Sequence, residues 1–200
     1  MRRSAPAVIA FALALFAAPA QAHLASTGFG DFYDGIAHVL ITPEDLLVAL
    51  AVGLLAGQRG SRATRFAVIA LPLAWLAGGL MGARWSPLPS QLVVLTTATF
   101  ALTGALVALD ARLRDAAIIA IAIAAGLLHG LANGPTMTPS GIGTQGLIGA
   151  VCAVAVLVLL LSSQVNALVP GWQRIAVRVA GSWIAASGLL MFGWLYHTAR

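Results

Sequence analysis

Six apolar runs, each close to the length needed to cross a bilayer, divide this chain and leave little choice of fold. Read between breakers, they cover roughly 44–57, 66–83, 92–109, 116–132, 146–163 and 175–196. A hydrocarbon core of about 30 Å admits only backbone that satisfies its own hydrogen bonds, so runs of this kind predict membrane-spanning helices. Of the 200 residues 60% are hydrophobic and 8% charged, a balance that excludes a soluble globular domain. The expected fold is all-α: a polytopic membrane bundle of six transmembrane helices forming one domain over 23–200, with the lipid bilayer as its first partner.

Residues 1–22 read as a cleavable signal peptide. Arg2 and Arg3 form its positive region, Ala7 to Ala17 its apolar region, and Ala20-Gln21-Ala22 a small-x-small cleavage site that would make His23 the mature N-terminus. The formal charge of +5 comes wholly from arginine, and two of those arginines leave with the signal. The remainder is too small and scattered to suggest nucleic acid. Cys152 is the only cysteine, so there is no internal disulfide and no cysteine framework for metal or redox chemistry.

Positive loops stay in the cytoplasm. With the N-terminus outside, Arg59, Arg62, Arg65, Arg112, Arg114, Arg174 and Arg178 fall inside, against Arg84 and Arg200 outside. The expected location is the bacterial inner membrane, with both mature termini periplasmic and the 23–43 segment on the periplasmic face. Asp110 and Asp115 then lie inside beside Arg112 and Arg114, where a solvated pairing within that loop is expected. Glycines four apart, Gly53/Gly57, Gly78/Gly82 and Gly126/Gly130/Gly134, place small residues on one helix face and predict close helix packing. The segments 51–57 and 124–130 also echo one another, as spans one and four of a 3+3 inverted repeat would, although alanine- and leucine-rich helices match easily by chance.

The functional signal lies in the remaining polar residues. Asp31, Asp34, Glu44 and Asp45 fall within fifteen residues at the outer mouth of span one, around His38 and after His23. The topology adds His129, His197, Met81, Met137 and Met191 to the same outer third. Carboxylate, imidazole and thioether together suit nickel, cobalt or copper better than magnesium or calcium. Duller readings stand beside this one. Thr42-Pro43-Glu44-Asp45 has the form of a helix start, with Thr42 as cap and the acids favoured by the helix dipole. A continuous helix would align Asp31, Asp34, His38 and Asp45 on one stripe; the proline favours a break, with a short interfacial helix carrying His38. Thr96, Thr99 and Thr103 share a face of span three, and either line a polar path or bond back to their own helix. Ionisable groups at membrane depth are functional candidates by default, because lipid leaves them without partners.

The order mature histidine, Gly28-Phe29, Phe32, Gly35, His38 and then Leu46 through Leu54 resembles the HupE/UreJ proteins. Leu128-His129-Gly130-Leu131-Ala132-Asn133-Gly134 is similar to that family's Phe-His-Gly-x-Ala-His-Gly motif. The resemblance covers most of the mature chain. It implies a six-span permease or accessory protein for nickel or cobalt, linked to hydrogenase or urease maturation proteins, either alone or as a homo-oligomer. The family's His-x5-Asp-His appears here as His38, five residues, Glu44 and Asp45, and its second span-four histidine is Asn133. The donor set is therefore poorer in nitrogen and richer in oxygen. On this reading Asp31 and Asp34 attract the cation, His38, Asp45 and His129 bind it, and Glu44, Asn133 and His23 support them. No ATP-binding loop is present, so uptake would be passive or gradient-driven, and no nucleophile motif suggests an enzyme. A metal-binding or assembly protein that does not transport is the competing expectation.

Overall fold

A computed structural model describes residues 27–85, 89–137, 143–169 and 171–198. The signal-peptide reading and His23 lie outside these residues. The described residues form seven helices and no strands: α1 (Asp31–Ile41), α2 (Pro43–Arg59), α3 (Ser61–Gly82), α4 (Gln91–Ala108), α5 (Asp115–Met137), α6 (Gly143–Asn166) and α7 (Trp172–Thr198). Helices α3 to α7 are each long and apolar enough to cross a membrane. Taken together, α1 and α2 pass the same test as a pair bent by 77°, and are the candidate for the sixth span.

The break follows from local chemistry. Proline disfavours the helical conformation in the residue before it, and Thr42 adopts an extended one, φ −90° and ψ 107°. Pro43 then sits in the first turn of α2, followed by Glu44 and Asp45, as expected of a helix start. Thr42 is the cap by position, but its hydroxyl makes no capping bond. The extra helical turns at other ends mostly continue the apolar runs into polar sequence. One of them matters: α5 does not stop near Ala132 but carries on through Asn133 and Pro135 to Met137. Asn133 is therefore a helical residue one turn beyond His129, on the same face.

Helix α2 is the axis of the core, with 51–57 buried throughout. The glycine stripes let other backbones in. A side chain at Gly78 or Gly82 would overlap the carbonyls of Leu127 and Leu131, and one at Gly130 or Gly134 would overlap those of Trp75 and Gly79, so α3 and α5 lie in backbone contact. On α2, Gly57 admits α6 closely, at Val165 and the Ser162 carbonyl, and Gly53 meets Leu161 and Val158 less tightly. Span one thus receives span five, and span four receives span two, the reciprocal packing that a 3+3 inverted arrangement requires. Helix α1 crosses α6 where Gly35 meets the Gly146 carbonyl and Gly149 meets that of Phe32.

At the arginine-rich end the acids of the α4–α5 connection pair differently from the sequence expectation. Asp110 binds Arg59, and Asp115 binds Arg62 at 3.1 Å. Both partners flank Gly60, where α2 ends and α3 begins, which the tertiary packing brings alongside; neither pair uses Arg112 or Arg114. Asp110 takes φ +49°, a conformation that aspartate tolerates better than most residues.

Candidate metal site

Asp45 lies fourteen residues before Arg59 on α2, about 21 Å from the arginine-rich end at the helical rise of 1.5 Å per residue. His129 stands eight residues inside the end of α5, and Thr99 eight residues inside the start of α4, each about 12 Å deep by the same measure. Because α2 begins at this depth, its first turn faces the interiors of α4 and α5, and α1 bends over the space above it.

There the side chains form one network. His129 Nδ1 is 2.8 Å from Asp45 Oδ1, and Asn133 Nδ2 donates to Asp45 Oδ2 at 2.8 Å. That bond fixes the orientation of the Asn133 amide, so its Oδ1 faces His38 Nε2 at 2.9 Å and accepts the proton carried there. His38 Nε2 is itself 3.7 Å from Asp45 Oδ2. On the far side of the His129 ring, Nε2 lies 3.0 Å from Thr99 Oγ1. The one hydroxyl proton of Thr99 has two acceptors within reach, that nitrogen and the Thr96 carbonyl at 2.6 Å. Trp75 covers the imidazole, with ring centroids 5.4 Å apart and planes 33° from parallel.

Burial makes these bonds consequential. The side chains of Asp45 and His129 are 4% and 1% exposed, and His38 keeps 15%. A carboxylate so enclosed is tolerated only where hydrogen bonds and a partner replace water. Asp45 has both, and all of its partners come from other helices. It is not simply an acid at a helix N-terminus.

The sequence-predicted residues therefore divide. His38, Asp45, His129 and Asn133 come together. Asp31 and Glu44 are partly exposed and stand outside the network. Asp34 is buried, but it accepts hydrogen bonds from the Thr27 backbone N–H and hydroxyl, at 2.5 and 2.6 Å, which fastens the segment before α1. His197 is exposed in the last turn of α7. Two neighbours were not legible as site residues: Trp75, which sequence marks only as another apolar residue, and Thr99, visible there as one of several threonines on a face. Thr96, Thr97 and Thr103 bond to backbone carbonyls of their own helix.

The groups are arranged as partners of one another. Among the described residues no three histidine, cysteine, aspartate or glutamate side chains are grouped to hold a metal ion as they stand. An arriving cation would have to displace hydrogen bonds, chiefly those made by Asn133, before His38 and His129 could both turn to it.

The chain is similar to known proteins well beyond these motifs. It matches the family described as HupE / UreJ protein over residues 11–191. The chain belongs to the HupE/UreJ family. No match to a curated protein or to a solved structure was found. Membership accords with a membrane protein concerned with nickel or cobalt, in a transport or accessory role. The two positions that depart from the motifs, Asp45 and Asn133, bond to each other within a single cluster.

Proposed function

We propose that this protein takes up a divalent transition metal, nickel or cobalt before copper, through a site formed by His38, Asp45 and His129 with Asn133 in support. The observation that carries the reading is the convergence of two imidazoles and a carboxylate, from α1, α2 and α5, on one buried point linked by Asn133. The proposed sidedness puts this site toward the periplasm of the inner membrane and the arginines toward the cytoplasm. The metal is cargo: it enters beside half-buried His38, replaces the Asn133 bonds, and is held by nitrogen and carboxylate ligands that suit a borderline cation.

One observation favours the second reading, a binding or assembly protein that does not transport. Between Asp45 and Gln58 the buried face of α2 is entirely apolar, and the buried threonines of α4 bond to their own helix. Uptake into proteoliposomes, compared across nickel, cobalt, copper and zinc, separates the two. Uptake that His38→Ala and His129→Ala each abolish supports transport; tight binding without uptake leaves the assembly role. Binding abolished by neither substitution refutes the site.

A further inference from the structure

Trp75 is fully buried, whereas Trp85, Trp172, Trp183 and Trp194 are all more than half exposed. Its backbone is gripped at the level of the site: Gly130 sits on its carbonyl and Gly126 against its N–H, one on either side of His129 along α5. The register of α3 on α5 is thus fixed where the indole meets the imidazole, 5.4 Å away. The indole N–H is buried with no hydrogen-bond partner among the described residues. A phenyl ring would fill much of the same space without that unmet donor, so what distinguishes tryptophan here is its wider and more electron-rich face. Such a face attracts cations, and an imidazole bound to a divalent metal is strongly electron-poor.

We infer that Trp75 is a positioning residue for metal binding, holding the His129 ring in the plane that meets Asp45 and stacking more strongly on it once a cation is bound. The inference rests on the proposed metal function and adds to it a residue outside the ligand set.

The test uses the full chain in detergent with Trp85, Trp172, Trp183 and Trp194 changed to phenylalanine, so that emission reports Trp75 alone. Nickel(II) and cobalt(II) chloride are titrated while fluorescence and heat are recorded. The expected result is saturable quenching whose midpoint coincides with the calorimetric one. In the otherwise unaltered protein, Trp75→Phe should weaken binding about 3- to 10-fold with no loss of thermal stability, since the unmet N–H goes with the indole. Trp75→Leu should weaken it further, about 10- to 100-fold, as loss of support around a ligand does. Heat of binding without quenching overturns the inference and leaves the metal function standing, as does a Trp75→Leu protein that binds normally. Absence of any heat overturns the metal function and this inference with it. Should Trp75→Leu fail to fold, the quenching experiment alone decides.

Discussion

His129 and Asp45 share a hydrogen bond of 2.8 Å across the α2–α5 interface, with both side chains almost wholly withdrawn from solvent. The pair is asymmetric in what its loss leaves behind. His129→Ala removes the closest partner of a buried carboxylate, leaving it the Asn133 amide, and should cost about 3–5 kcal/mol, whereas Asp45→Ala leaves an imidazole that keeps Thr99 and should cost about 1–3 kcal/mol. Denaturant unfolding in detergent measures both, and the reverse order would show that the pair does not bear on stability in this way.

Asn133 is the hinge between His38 and Asp45. Asn133→Ala should weaken nickel binding about 10-fold, because the cation that replaces the Asn133 bonds loses the amide oxygen that would support it. Asn133→His supplies an imidazole nitrogen in place of the amide and should strengthen nickel binding over the parent. Calorimetry on the two variants checks the opposite signs.

The α3–α5 contact leaves no room at Gly130, where a methyl group would meet the Trp75 carbonyl, while Gly193 on α7 has open space around it. Gly130→Ala is expected to destabilise by about 1–3 kcal/mol through overpacking. Gly193→Ala should be neutral or stabilising by up to about 1 kcal/mol through helix propensity. Melting temperatures in one detergent provide the comparison.

Two ion pairs at the arginine-rich end differ in burial, and that difference should be measurable. Arg59 is 13% exposed in its pair with Asp110, and Arg62 is 74% exposed in its pair with Asp115. Asp110→Asn keeps a side chain suited to positive φ and should cost about 1–3 kcal/mol, whereas Asp115→Asn should change stability by less than about 0.5 kcal/mol. Added salt should weaken the second contribution and barely alter the first.

Six spans place the connections on alternate sides. Reporter fusions after Arg62 and after Gly143 are expected to report cytoplasm and periplasm respectively; the same side for both would break the topology.

Composition and periodicity determined that this chain is a helical membrane bundle, where its helices lie, and that its glycine stripes are packing faces. These are local properties: the length of an apolar run and the 3.6-residue period are written in neighbouring residues. They also brought out His38, Asp45 and His129, because polar groups are rare in such a chain, and the motif resemblance added Asn133. Tertiary structure decided their use. Asp45 reads locally as an acid at a helix start, and only the docking of α5 against α2 turns it toward His129 and Asn133. Asn133 reads as part of a loop, since Gly134 and Pro135 follow it; packing of α3 along α5 sustains the helix through them. Asp110 and Asp115 face arginines from another connection because the chain reverses at Gly60 beside them. Trp75 looks like any apolar residue until Gly126 and Gly130 set its backbone beside His129. In each case the partner lies far away in sequence, and its identity depends on helix register, which only packing fixes.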